Sequence, residues 1–168
     1  AHILRPTTIF GPGKNREGNS FLELIKMMRS GYYKNIGQGV YNIVYIEEVV
    51  KAMIELSEAS IPYGNVYLIN NPVAFRDIDI LVKSLPPAIT KKTKTVPHPI
   101  AWLATLVLTL ICFITHRKNP LTFGRLRVLT NTTAYSQNKI VEAIHFKNTL
   151  SIEEYIKKVC IEYINLGL

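Results

Sequence analysis

Tyr135 and Lys139 stand four positions apart, the one tyrosine–lysine spacing here that could serve as an acid–base pair. On one helix face the ammonium would lower the phenol pKa and let it exchange a proton with a substrate. The local sequence argues against that use. Ser136 reads as the cap of a short helix, which leaves Tyr135 outside it. The histidines His2, His98, His116 and His145 are scattered without partners. The adjacent carboxylates Glu47-Glu48 and Glu153-Glu154 each sit at a predicted helix start, where the macrodipole accounts for them. No Cys or His pair has zinc-ligand spacing, so no metal site is expected, and no catalytic residue is assigned within the chain.

Phosphate binding is the next chemistry to weigh. Gly11-Pro12-Gly13 and Gly37-Gln38-Gly39 both match G-x-G, but Arg16 and Asn42 occupy the sixth positions. A dinucleotide fingerprint needs a third glycine there for close helix–strand packing. Both segments therefore read as turns, and no phosphate-cradling loop is expected in this chain.

The elements that must carry these residues follow from periodicity. His2 to Phe10 is a short apolar run closed by Gly11-Pro12-Gly13, a buried strand entering a turn. Asn19 or Ser20 caps a helix with Phe21, Leu24, Ile25 and Met28 on one face, stopped at Gly31. Ile43 to Ile46 is a second strand, followed by a helix carrying Val49, Val50, Met53, Ile54 and Leu56. Val66 to Ile69 is a third strand, ended by Asn70-Asn71-Pro72. The next helix groups Ile78, Leu81, Val82 and Leu85 before Pro86-Pro87. This alternation predicts an α/β unit with a parallel sheet over residues 1–88. Residues 89–168 read as a mainly helical lobe: a long apolar helix, a short segment from Leu121 to Leu129, a small helix from Asn138 to Ile144, and a last helix. Ser151 and Glu154 have capping-box spacing, and Ile152, Tyr155, Ile156, Val159, Cys160, Tyr163 and Ile164 keep i, i+3, i+4 order.

The 168 residues hold 20 Lys and Arg against 12 Asp and Glu, a net charge of +8. That balance suits phosphates, nucleic acid or a membrane surface. No arginine-rich run with interleaved aromatics is present, so no nucleic-acid partner is expected. Two cysteines, Cys112 and Cys160, are too few for a disulfide scaffold and read as core thiols in a reducing, cytoplasmic compartment. The start of the chain reads directly as a strand, without a signal peptide. Ile100 to Thr115 is 16 residues without a charge. It is short for a span, which takes about 20 apolar residues. Ala101, Thr105, Thr109, Cys112 and His116 give it a weakly polar stripe. A buried or dimer-covered helix is expected first, a monotopic surface helix second and a span last.

Taken in order, several segments resemble one family. Leu4-Arg5-Pro6-Thr7-Thr8-Ile9-Phe10-Gly11-Pro12-Gly13 resembles the "LRP-x-x-(V/I)-(Y/F)-G-P-G" segment of extended short-chain dehydrogenases, the NAD-dependent epimerase/dehydratase family. Ile36 to Gly39, Val44 to Val49 ("V-Y-V-D-D-V"), Gly64 to Ile69 and Lys139 to Glu154 resemble later family segments in the family's order. The resemblance covers nearly the whole chain. It implies the C-terminal portion of a Rossmann-like NAD(P)-binding fold with a mostly helical substrate-binding lobe. In that family the cofactor fingerprint and the catalytic tyrosine–lysine pair lie before the "LRP" strand, so this chain alone is expected to be inactive and to bind NAD or NADP poorly. Pro6 and Thr7 match positions near the nicotinamide. Thr8 matches a position facing the substrate, and Gly13, Lys14, Asn19 and Ser20 fall in a substrate-facing loop.

Two departures bear on the substrate, a small molecule. The family's nucleotide-sugar enzymes usually carry an arginine just before the "V-Y-V-D-D" strand, where Asn42-Ile43 stand here. The apolar run resembles the 3β-hydroxysteroid dehydrogenase branch, which implies peripheral membrane contact through Ile100–Thr115 and a sterol-like or isoprenoid-linked substrate alongside the nucleotide-sugar reading. A homo-oligomer is expected, held by a bare strand edge, by this helix, or by both. A non-catalytic binding or assembly protein that keeps the fold is the alternative.

Overall fold

The computed structural model describes residues 2–12, 19–31, 33–87, 93–115, 119 and 121–165. The first apolar run forms two strands, β1 (Ile3–Pro6) and β2 (Thr8–Phe10). The single strand expected over His2 to Phe10 is broken at Thr7. Pro6 has no N–H to give to a ladder. The Thr7 N–H closes the first pairing by donating to the Ile69 carbonyl at 3.2 Å, and the chain then joins a different sheet. Helix α1 (Ser20–Ser30) starts where Asn19 accepts from the Leu22 N–H, and it stops at Gly31, whose φ of 76° is the left-handed C-cap that glycine tolerates.

After β3 (Asn35–Ile36) comes β4 (Val40–Tyr45), which runs directly into α2 (Ile46–Glu58). The second strand is thus longer than expected, and Ile46 begins the helix. Strand β5 (Val66–Ile69) matches its predicted bounds. Asn71 and Pro72 do not end the sheet, as the sequence suggested; they begin β6 (Asn71–Ala74), antiparallel to β4. Pro72 is tolerated because β6 is an edge strand. Helices α3 (Phe75–Ser84), α4 (His98–Thr115), α5 (Phe123–Thr130), α6 (Asn138–Ile144) and α7 (Ile152–Asn165) complete the described elements, with β7 (Thr95–Val96) between α3 and α4.

The pairings are β1 with β5, β2 with β4, and β3 with β7, all parallel. Strand β4 lies between β2 and β6 and is buried on both faces, which its alternation uses. Ile43 and Tyr45 face a core with Phe10, Phe21, Ile25, Ile78 and Val82. Val44 faces a second core with Val49, Ala52, Leu56, Tyr67 and Ile69. Helix α7 belongs to the first core: Tyr155, Ile156, Val159, Cys160 and Tyr163 are all buried there. Its capping box forms as the spacing predicts. Ser151 Oγ accepts from the Glu154 N–H at 3.3 Å, and Glu154 accepts from the Ser151 N–H at 2.8 Å.

Three expectations about packing are corrected. On α2 the buried face is Val49, Ala52 and Leu56, while Val50, Met53 and Ile54 are exposed. Cys160 is buried but Cys112 is only half-buried, so one thiol rather than two is a core residue; both are free. Helix α4 is not buried in this chain: Phe113 is 80% and Ile114 74% exposed, and only Ala101 and Thr105 are buried.

Candidate functional site

The carboxyl ends of β1 and β5 are the place to look, because ligands of open α/β sheets bind outside those ends. Pro6 and Ile69 end the paired strands, and Thr7 and Asn70 follow them. Thr7 Oγ1 donates to Asn70 Oδ1 at 2.8 Å. Asn70, 1% exposed, donates its side-chain amide to Asn42 Oδ1 at 2.9 Å and to the Tyr135 carbonyl at 2.8 Å. Its own N–H donates to Gln137 Oε1 at 3.4 Å. Asn42 Oδ1 also accepts from the Tyr135 N–H at 3.1 Å, and Asn42 Nδ2 donates to the Thr133 carbonyl at 2.8 Å. A buried amide must find partners for both ends. Here those partners tie the extended segment before α6 to the middle of β4 and the end of β5.

A second group of polar side chains lies on the β2 side of Thr7. Burial pushes the Tyr41 pKa up, and the hydroxyls of Ser20 and Thr8 beside it offset part of the rise. Asn19, besides capping α1, donates to Tyr163 Oη at 2.9 Å, and Tyr163 donates to the Gly11 carbonyl at 3.0 Å. Helix α7 is thereby fastened to the turn after β2. The same helix is bolted to α2 by Tyr155, which hydrogen-bonds Glu48 Oε1, an oxygen that also accepts from the Thr149 N–H at 2.7 Å. Burial first, then the Glu48 carboxylate, pushes the Tyr155 phenol up to about 12. Tyr45 stacks on Tyr155 with ring centroids 4.1 Å apart.

The structure sets Thr8 and Ser20 both near Tyr41 and Thr7 beside Asn70. Pro6 and Thr8 are exposed and Thr7 is half-buried, so this stretch is open to a ligand. Asn19 is committed to the α1 cap and to Tyr163. Gly13 and Lys14 lie outside the described residues. Tyr135 precedes α6, with its backbone held by Asn42 and Asn70, while the Lys139 ammonium lies 5.3 Å from the centre of the Tyr67 ring. The tyrosine and the lysine therefore do not share a helix face. Sequence reasoning missed Tyr41, Asn70, Gln137 and Tyr163. Only Asn70 carried a local signal, as an asparagine closing a strand.

A Cβ on Gly39 would lie 1.9 Å from the Leu129 carbonyl oxygen, and one on Gly11 would lie 2.6 Å from Ile46 Cγ2. Both spaces are filled by the protein itself. These glycines serve close packing, and they do not fit a dinucleotide pyrophosphate. Among the described residues no cluster of His, Cys, Asp and Glu could hold a metal ion.

No family model matches the chain. It is 26% identical over 169 residues to 3beta-hydroxysteroid-dehydrogenase/decarboxylase isoform 1 of Arabidopsis thaliana, covering 92% of this chain and 38% of that protein. The crystal structure of gox2253 superposes with a TM-score of 0.71 at 14% identity, over 99% of this chain and 49% of that one. WbmG of Bordetella bronchiseptica, solved with NAD and UDP, gives 0.64 at 12% identity, over 99% and 45%. UDP-glucose 4-epimerase of Thermotoga maritima, solved with UDP-glucose, gives 0.59 at 18% identity, over 98% and 46%. The chain thus has the Rossmann-like α/β fold of these enzymes, spans about half the length of the solved structures, and resembles the dehydrogenase/decarboxylase over little more than a third of it.

Proposed function

We propose that the chain is the substrate-binding C-terminal part of an NAD(P)-dependent oxidoreductase or epimerase. The observation that carries this reading is the arrangement at Thr7. A Pro6-Thr7-Thr8 stretch with exposed Pro6 and Thr8 and half-buried Thr7 leaves the carboxyl end of a parallel strand pair, flanked by the Asn70 node on one side and by Tyr41 and Ser20 on the other. Pro6 and Thr7 border the nicotinamide of NAD or NADP; Thr8 and Ser20, with Gly13, Lys14 and Asn19, border the substrate. The cofactor supplies the hydride chemistry, and its pyrophosphate is held by residues other than these.

The substrate is sterol-like or isoprenoid-linked in preference to a nucleotide-sugar. Where an arginine would pair with a pyrophosphate, Asn42 stands with both ends of its amide already engaged by Thr133, Asn70 and Tyr135. A second copy of the chain is a further proposed partner, through the outer edge of β1, where Ile3 is 53% exposed. The compartment proposed is cytoplasmic, with membrane contact through α4.

Ligand-observed NMR on the chain with a 3β-hydroxysterol and with UDP tests the substrate. Sterol binding that weakens in Thr8→Val and Ser20→Ala is expected; UDP binding, or a sterol signal indifferent to both changes, overturns the assignment. An NADH fluorescence titration tests the cofactor. No saturation tighter than roughly 10 μM, about 7 kcal/mol, is expected. Tighter binding would place the cofactor site within this chain.

A further inference from the structure

We propose that Tyr163 is a positioning residue for the substrate side of the candidate site: its one hydroxyl clasps the exit of β2 to the start of α1, and so fixes Ser20 relative to Thr8. The start of a helix is its loosest part, because its first four N–H groups have no partner within the helix. Asn19 answers one of them, accepting from the Leu22 N–H at 3.0 Å. Its amide nitrogen donates to Tyr163 Oη at 2.9 Å, and Tyr163 Oη donates in turn to the Gly11 carbonyl at 3.0 Å. One phenol therefore spends its acceptor and its donor on two ends that stand eight positions apart in sequence. The four groups form a single chain of hydrogen bonds, in which each bond polarises the next.

The phenol can serve as a fixed point because the helix beneath it is held from several sides. Tyr163 is 3% exposed, and Tyr155, Ile156, Val159 and Cys160 of the same helix are buried in the first core. Tyr155 and Lys158 tie α7 to Glu48 and Glu47 of α2. The two elements being clasped are already set in their bodies. Thr8, Ile9 and Phe10 pair in register with Ile43, Val44 and Tyr45, and Phe21 packs on Phe10 with ring centroids 4.7 Å apart. What the core leaves to the hydroxyl is the first turn of α1 and the carbonyl where β2 ends. Ser20 opens that first turn. Thr8 and Ser20 are both exposed, and their hydroxyls lie beside Tyr41. A ligand that meets both hydroxyls meets them at a spacing fixed beforehand, so binding need not order them. The sterol assignment of that ligand rests on the reading proposed above; the clasp stands on the hydrogen bonds themselves.

Tyr163→Phe keeps the ring in the core and removes the hydroxyl alone. NMR on the chain reads both ends: the Gly11 carbonyl carbon shift at one, and amide hydrogen exchange of Leu22 and Glu23 at the other. An upfield move of the Gly11 carbonyl is expected, with exchange about tenfold faster at Leu22 and Glu23 and unchanged in α7 and β5. Asn19→Ser supplies a second arm, because serine still caps a helix but lacks the amide that donates to Tyr163. In that background Tyr163→Phe should still move the Gly11 carbonyl and should no longer speed exchange at Leu22 and Glu23. Binding is then compared between a 3β-hydroxysterol and its 3α epimer. Tyr163→Phe should narrow the preference between them at least about threefold, a ratio that a loss of overall stability does not move. An unmoved Gly11 carbonyl, unchanged exchange at Leu22 and Glu23, equal acceleration throughout the chain, or full additivity with Asn19→Ser overturns the clasp. An unchanged epimer ratio overturns the positioning role. Loosening confined to the two ends, with no sterol bound by either form, upholds the clasp and counts against the sterol reading, so the two failures are told apart.

Discussion

Replacing Asn70 by aspartate tests the node at the carboxyl ends of β1 and β5 with almost no change of shape. Asn70 Oδ1 accepts from Thr7, and that contact survives the change. The side-chain nitrogen donates to Asn42 Oδ1 at 2.9 Å and to the Tyr135 carbonyl at 2.8 Å, and a carboxylate would turn both contacts into acceptor against acceptor. Two lost hydrogen bonds at about 1 kcal/mol each, with about 1–3 kcal/mol for leaving a buried group unsatisfied, predict a loss of roughly 3–5 kcal/mol at pH 7. That is a large part of the roughly 5–15 kcal/mol that holds a domain folded. The loss should depend on pH. Burial and two facing acceptors raise the new carboxyl above its unfolded value of about 3.9. Between those two values the folded state binds a proton that the unfolded state lacks, so stability falls as pH rises through that window. The gap between variant and native chain should therefore narrow from pH 7 toward pH 4. Urea unfolding followed by circular dichroism across that range measures it, with Asn70→Ala as a control whose gap stays constant with pH. An aspartate variant within about 1 kcal/mol of the native chain at pH 7, or a gap indifferent to pH, would refute the reasoning.

Tyr155 makes an alkaline prediction. Its phenol is held up near 12, so its contribution is fully present below the unfolded value of about 10 and is lost as pH rises from there toward 12; Tyr155→Phe should flatten the alkaline limb of a stability–pH curve. Burial pushes the Cys160 thiol up to about 12, so iodoacetamide at pH 8 should label the half-buried Cys112 and spare Cys160, as peptide mass spectrometry can read. The glycines should divide sharply. Gly39→Ala should lower the thermal midpoint by the equivalent of about 1–3 kcal/mol or more, because its new methyl would meet the Leu129 carbonyl. Gly124→Ala, in α5 with its nearest neighbour atom 3.9 Å away, should raise it by up to about 1 kcal/mol.

Features of this molecule that are local in sequence were legible there, and those made by distant residues were not. The capping box of α7 spans four residues, and the left-handed stop of α1 needs one glycine, so each announces itself. The break at Thr7 depends on Ile69, and the use of Pro72 in a strand depends on β4 having a free side for it. No periodicity in either segment encodes those partners. The candidate site shows the same division. Thr8 and Ser20 were marked by resemblance, but Tyr41, which stands beside both, lies in a different strand. Tyr163 reaches the turn after β2 from 152 residues away. Helix α4 is the instructive case. Its composition and weak polar stripe were plain in the sequence, which ranked a buried or dimer-covered helix ahead of a surface helix and a span. The structure turns the stripe inward: Ala101 packs with Ile36 and Leu126, and Thr105, one turn on, is buried too.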